Sequence, residues 1–346
     1  MDNRKIGKAI AFLRKRAGYT QKDLADRIGI SDKAVSKWER GLSLPDVGYL
    51  RKLSILLDTD TDSLLSGDVV HHDSNWKGVL VMDDSPYGIG AGTVIFDKPL
   101  VYFLLSYFLL VGIREVTVFC TENDKAVIKK ILGDGSDYGI HLTVAAGPLH
   151  PELVTGYKSD GNIMMIYGRC LLYGVDQTRF FQRAMVNRDR LTMMVSPKKV
   201  WPFPHIRMDD NRKVINDDGE DLLFTQYDFS PLPILFFPAV LLREFGAAES
   251  VDLFLKQYAE ERELYVETLD RGFVEFEVDD WNAVQEASTF LKIVQEKCGM
   301  NVYCLEEVAW RRGMISDEQL CRLGKKYAGT EYGDYIQSLY DRVRKS

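Results

Sequence analysis

A chain of 346 residues, 46% hydrophobic and 27% charged, has enough apolar mass for more than one core and too little compositional bias for a fibrous or disordered protein. Its formal net charge of -7 argues against a chain that meets nucleic acid over its whole surface, but the average hides a split. Residues 1–57 hold 13 Lys and Arg against 6 Asp and Glu and the remainder holds 31 against 45, the pattern of a basic module on an acidic body in which only the module touches phosphate.

Taken in chain order, the first informative run is residues 20–41, TQKDLADRIGISDKAVSKWERG. The spacing predicts a helix opening at Gln21 behind a Thr20 cap, with Leu24, Ala25 and Ile28 on one apolar face and Gly29 making the tight turn. A second helix follows, capped by Ser31 or Asp32. Ala34, Val35 and Trp38 fall on its inner side, which leaves Asp32, Lys33, Ser36 and Lys37 facing outward as a reading face. On these residues, segment 4–66 resembles the lambda-repressor/Cro (XRE) type of DNA-binding domain, an all-α bundle of five helices. The resemblance implies an internal ion pair between Arg14 and Glu39. It also implies a phosphate contact at Gln21, and base or backbone contacts in the major groove from the helix carrying Ser31, Asp32, Lys33, Ser36 and Lys37. The expected partner is double-stranded DNA.

Polar residues 67–76 read as a linker, so that residues 1–66 and 77–346 form two domains. The adjacent His71 and His72 have no Cys or third His beside them and read as solvated. From Lys77 to Met82 the apolar run KGVLVM predicts a buried strand, followed by a Gly-rich loop through Gly92. A helix is expected over Pro99–Leu110, strands over Glu115–Cys120 and Ile140–Ala145, and a helix over Asp124–Leu132 between them. Later strands are expected at Asn162–Ile166, Leu191–Val195 and Pro233–Phe237, and the tail from Trp281 to Val343 reads as mostly helical. Alternation of this kind implies a largely parallel sheet.

The most apolar stretch, Pro99 to Ile113, is broken by Ser106 and Gly112 and falls short of the roughly 18–20 residues a bilayer requires. With no secretory leader in view and five cysteines free of any CxxC pair, a cytoplasmic protein without membrane contact, disulfide framework or zinc is expected.

Two long segments of this second domain, FDKPLVYFLLSYFLLVGIREVTVFCTENDKAVIKKILGDGSDYGIHL and RGFVEFEVDDWNAVQEASTFLKIVQEKCGMNVYCLEEVAWRRGMISDEQL, resemble bacterial glucose-1-phosphate thymidylyltransferase. The resemblance implies an α/β Rossmann-like nucleotidyltransferase fold with a helical C-terminal region. In that family the fold joins a sugar 1-phosphate to a nucleoside triphosphate with magnesium.

The family's site positions are altered here. In its triphosphate loop Asp83 and Asp84 replace glycines, and the loop's Arg and Lys have no counterparts. Gly88, Gly90 and Gly92 remain and serve to shape a turn. Arg169 stands where a metal-binding Asp belongs, and a guanidinium cannot ligate magnesium. Glu277 aligns with the second metal carboxylate, with Asp279 and Asp280 beside it. Asp221 falls near the sugar-phosphate lysine. His141, His150 and His205 stand isolated.

The expectation is therefore a homo-oligomeric DNA-binding regulator with no catalytic residues, no metal and no cofactor, its second domain a pseudoenzyme serving as effector or oligomerisation domain. Its possible effector is a sugar nucleotide or sugar phosphate, which links it to sugar-nucleotide or polysaccharide metabolism. The alternatives are an active thymidylyltransferase-like enzyme using magnesium with an appended helix-turn-helix, and a scaffold in a polysaccharide-making complex.

Overall fold

The computed structural model describes residues 3–66 apart from 18, 58 and 60, residues 75–197 apart from 155, 156, 158 and 159, and residues 229–345 apart from 249, 270, 271 and 300. Most of the expected linker, together with His71, His72, His205 and Asp221, lies outside the described residues. The chain divides into two compact units, Met1–His72 and Asp73–Ser346.

Helices α1 (Asn3–Arg16), α2 (Gln21–Ile28), α3 (Asp32–Glu39), α4 (Val47–Leu56) and α5 (Thr61–Ser66) make up the first unit. Its core gathers Ile6, Ile10 and Leu13 of α1, Leu24 and Ile28 of α2, Val35 and Trp38 of α3, Leu50 and Leu53 of α4, and Leu64 of α5. The apolar residues recur at helical spacing because each helix buries one stripe and leaves the other face to water. Helix α1 comes so close to the end of α3 that a Cβ on Gly7 would lie 2.2 Å from the Trp38 carbonyl oxygen, so only glycine fits there.

In the second unit, β1 (Trp76–Val81) leads through the short pair β2 (Val94–Ile95) and β3 (Lys98–Pro99) into α6 (Leu100–Leu110). There follow β4 (Glu115–Cys120), α7 (Glu122–Leu132), β5 (His141–Ala146), β6 (Asn162–Tyr167), β7 (Cys170–Tyr173), α8 (Gln177–Val186) and β8 (Thr192–Pro197). Beyond them come β9 (Phe229–Pro238), α9 (Leu242–Ala247), α10 (Val251–Glu261), β10 (Tyr265–Thr268), β11 (Val274–Glu277), α11 (Trp281–Cys298), α12 (Leu305–Arg311), α13 (Asp317–Lys326) and α14 (Glu331–Lys345).

Seven strands form one sheet in the order β10-β8-β9-β6-β1-β4-β5. Strand β1 lies in its interior, parallel to β4 with Val79 opposite Thr117, and parallel to β6 with Val79 opposite Met165. The expected largely parallel sheet is mixed, because β9 runs antiparallel to both β6 and β8. Strand β10, paired in parallel with β8, and the antiparallel pair β7 and β11 were not foreseen.

Helix α6 buries ten of its eleven residues, Leu100 through Leu109, and this explains its lack of any polar face. Two hydrophobic clusters pack the unit. The larger takes in α6, α11 and the C-terminal helices, and the other gathers residues of β1, β6, β8 and β9 with α9 and α10. Among the described residues no helix is long and apolar enough to cross a membrane.

Candidate DNA interface and nucleotidyltransferase-like cleft

The helix-turn-helix is assembled by local bonds. Thr20 and Asp23 form a reciprocal capping box at the start of α2, the Asp23 carboxylate accepting from the Thr20 amide at 2.8 Å and the Thr20 hydroxyl from the Asp23 amide at 3.1 Å. The Thr20 hydroxyl also donates to the Asp23 carboxylate at 2.7 Å, and that bond, with the one from the Thr20 amide, holds the Asp23 carboxyl below the ordinary carboxylate range. Gly29 ends α2 at φ 86, in the left-handed region, and the Ser31 hydroxyl accepts from the Ala34 amide at 3.3 Å to open α3. Val35 and Trp38 are buried, Ala34 and Ser36 are half-buried, and Ser31, Asp32, Lys33 and Lys37 are exposed.

One network fixes where α3 points. Arg14 Nε and Nη2 donate to the two Glu39 carboxylate oxygens at 2.5 and 3.1 Å, and Nη1 donates to the Tyr19 carbonyl at 2.6 Å. Both side chains are more than nine-tenths buried. Glu39 also accepts from Gln21 Nε2 at 2.7 Å, so the amide assigned to a phosphate takes part in this internal network.

Asp83 and Asp84 follow β1 and Arg169 follows β6, so they gather at the carboxyl ends of two parallel strands, where open α/β sheets place their ligand crevice. Asp83 and Asp84 leave β1 exposed to solvent. In the loop that follows, backbone donors that a triphosphate would need are already used. The Gly88 amide donates to the Ser85 carbonyl at 3.0 Å, and the Tyr87 amide to the Ser85 hydroxyl at 3.3 Å. Gly90 donates to the Thr93 hydroxyl at 3.0 Å, and Ala91 to the buried Asp124 carboxylate at 2.6 Å. The loop presses so closely on Asp124 that a Cβ at Gly90 would meet its carboxylate oxygen at 2.4 Å.

Arg169, in the turn between β6 and β7, is 7% exposed. Its Nη2 donates to the Asp83 carbonyl, its Nη1 lies 3.8 Å from the Asp279 carboxylate, and its Nε has no hydrogen-bond partner. The guanidinium thus spans the segments that follow β1 and β11. Glu277 is exposed at the end of β11, and Asp280 caps α11 by accepting from the Ala283 amide at 2.8 Å. At the first residue of α11, Trp281 Nε1 donates to the Tyr87 carbonyl at 3.1 Å and fastens the helix to the β1 loop.

These residues do not fit a divalent ion. A cation already occupies the space between the two carboxyl-bearing segments, and among the described residues no group of three or more His, Cys, Asp or Glu is arranged to hold a metal. Asp221 lies outside the described residues.

Three residues of this cleft went unread in the sequence. Thr121, three places before Asp124, signals an N-cap, and the Thr121 hydroxyl does accept from the Asp124 amide at 3.1 Å. Nothing local says that the Asp124 side chain reaches back 33 positions. Tyr87 and Trp281 carry no motif that would have drawn them together.

The first unit is of the helix-turn-helix class: residues 10–64 match the family model described as Helix-turn-helix (HTH_3). The second is similar to curated glucose-1-phosphate thymidylyltransferases. It is 29% identical to that of Neisseria meningitidis serogroup A over 259 residues, covering 71% of this chain and 90% of the relative. Identity to the enzyme of Xanthomonas campestris pv. campestris is 26% over 266 residues, covering 72% and 88%. A solved structure assigned as a glucose-1-phosphate thymidylyltransferase from Bacillus anthracis aligns with a TM-score of 0.50 at 12% identity, over 62% of this chain and 94% of that one, and shows the common fold. The chain is therefore an XRE-type helix-turn-helix domain joined to a glucose-1-phosphate thymidylyltransferase-like domain.

Proposed function

We propose that this protein is a cytoplasmic, homo-oligomeric transcription regulator in which α3 reads the major groove and the thymidylyltransferase-like domain serves as a ligand-responsive or assembly domain without turnover. The observation that carries the reading is the solvent face of α3, where Asp32, Lys33 and Lys37 stand exposed on a helix whose opposite side is locked by the Arg14–Glu39 pair. Two cations one helical turn apart suit phosphate or guanine acceptors, and the short acceptor of Asp32 suits an exocyclic amine of a base.

Catalytic silence is supported by Arg169, which stands at the position of one family metal carboxylate and sets a fixed positive charge beside Asp279, two residues from the position of the other at Glu277. It is supported again by the loop donors turned inward at Gly88, Gly90 and Ala91. Electrostatic stabilisation of a leaving pyrophosphate depends on donors and cations aimed at it, and here they are aimed elsewhere.

Selection of duplexes from a random pool by the full chain, followed by gel-shift titration at fixed salt, tests the regulator reading. Enrichment of a defined sequence, with weaker binding by Lys33→Ala and Lys37→Ala, is expected. Enrichment that is unchanged in both variants would reject α3 as the reading element.

A further inference from the structure

Helices α13 and α14 form a hairpin so tightly closed that a Cβ on Gly324 would lie 3.2 Å from the Ile336 side chain and 3.4 Å from the Gln337 amide nitrogen. Its apolar side, with Leu320, Leu323, Ile336 and Leu339, joins the larger hydrophobic cluster. Beside that contact runs a polar seam that hooks the hairpin to α12 and α6. The Tyr332 hydroxyl donates to Glu306, and the Tyr335 hydroxyl donates to Glu307 at 2.6 Å. The hydroxyls of Tyr102, Tyr138 and Tyr327 meet in a triangle with sides of 2.8, 3.0 and 3.4 Å. Tyr332 and Tyr335 belong to α14, Tyr327 closes α13, Tyr102 stands on α6 and Tyr138 lies in the turn before β5.

The seam turns on Glu306, which is fully buried. One of its carboxyl oxygens accepts from Tyr332 and from the Cys304 thiol at 3.6 Å, and the other has no partner. The cation of β3, Lys98, is engaged by Asp97 at 2.5 Å and stacks over the rings of Phe103 and Tyr332. The remaining titratable groups around Glu306 are Tyr102, Tyr138, Tyr327 and Cys304, none of which carries positive charge. Next to it on α12, Glu307 is held by Arg311 at 2.8 Å. A carboxyl shut into a dry interior without a cation takes up a proton rather than keep its charge. Burial accordingly raises Glu306 above its ordinary value of 4.5. With the hairpin lifted, water would reach the same carboxyl and let it ionise in the ordinary range.

We propose that the α13–α14 hairpin is a proton-operated clasp, docked on α12 and α6 while Glu306 is neutral and lifted from them when Glu306 ionises. Between the ordinary carboxyl value and the raised one, the docked state holds a proton that the lifted state has lost. Docking is therefore complete in acid and is lost as pH rises through the raised value. The change is local to the C-terminal helices and leaves the seven-stranded sheet folded. It uncovers Leu320, Leu323, Ile336 and Leu339, an apolar surface that the docked hairpin keeps from solvent.

Two thiols tell a lifted hairpin from an unfolded domain. Cys304 lies against Glu306, and Cys170 lies in β7; each is 1% exposed. With the full chain held at steps from pH 4 to pH 8, a dipyridyl disulfide labels both, and peptide mass spectrometry gives the two rates. Their ratio cancels the pH dependence of the thiol reaction itself and of any global unfolding. The ratio of Cys304 to Cys170 should rise with pH, by up to about tenfold per unit inside the window, and level off above it. Glu306→Gln, neutral at every pH, should hold the ratio flat. Tyr332→Phe removes a donor that favours the ionised carboxyl, so the rise should level off at a higher pH than in the parent. The proposal is overturned if the parent ratio stays flat or if it rises equally in Glu306→Gln. Should circular dichroism show that Glu306→Gln does not fold, levelling at the same pH in Tyr332→Phe and the parent would overturn it instead.

Discussion

Arg169 shows how one side chain can decide what a site is able to do. Its guanidinium joins the Asp83 carbonyl to the neighbourhood of Asp279, so exchanging it removes a cross-link as well as a charge. Arg169→Asp, which restores the family's metal carboxylate, is expected to yield no pyrophosphate release and to lower the melting temperature, because Asp279 then faces a like charge across the cleft. Turnover in that variant would show the loop to be competent after all. Arg14 and Glu39 present the opposite case, a buried pair whose truncation strands its partner. Arg14→Ala or Glu39→Ala should each destabilise the helical unit by about 3 kcal/mol or more, and the double variant should cost less than the sum, as read from unfolding of the full chain. Strict additivity would dissolve the pair.

For the elements, α3 and α12 give the clearest expectations. On α3, Lys33→Ala and Lys37→Ala should each weaken binding to the selected duplex by roughly 1–3 kcal/mol if they touch base edges, and should lower the salt slope by about one each if they touch phosphate. On α12, Glu306 is fully buried. It accepts from the Tyr332 hydroxyl and from the Cys304 thiol at 3.6 Å, while its second oxygen has no partner. Burial raises its carboxyl above the ordinary value of 4.5. The folded state therefore holds this proton more tightly than the unfolded chain does. Its contribution to stability is full below the ordinary value and is lost as pH rises through the raised one. Glu306→Gln should flatten that decline in denaturant midpoints measured from pH 4 to pH 8. A decline unchanged in the variant would move its cause to another group.

Local chemistry was legible at this scale and distant chemistry was not. Thr20, Gly29 and Ser31 announce the ends of α2 and α3 because each acts on its own neighbours. The four-residue strands β7 and β11 announce nothing, being too short to show a period, and they pair only because the chain returns to Tyr173 with Val274 and to Cys170 with Glu277.

At the scale of the whole molecule, the alternation of apolar runs was enough to place an α/β domain behind a helical one. It could not give the direction of β9, which depends on the path taken between β8 and β9 and not on any residue within the strand. The altered site positions were readable as substitutions in Asp83, Asp84 and Arg169. The reach of Asp124 into the loop and the meeting of Tyr87 with Trp281 belong to tertiary structure alone. Together these features predict that the full chain with glucose 1-phosphate, dTTP and magnesium will release no pyrophosphate above background in a coupled assay. Magnesium-dependent release with any common pairing of sugar 1-phosphate and nucleotide would restore the enzyme reading.

The inward-turned amides of the β1 loop also have a consequence in time. In a loop that waits for a phosphate, backbone protons trade with solvent quickly until the ligand arrives and then slow down. Here Gly90 and Ala91 are already committed to Thr93 and Asp124, so their amides should exchange slowly in deuterated buffer with nothing bound, and added dTTP should leave that rate where it was.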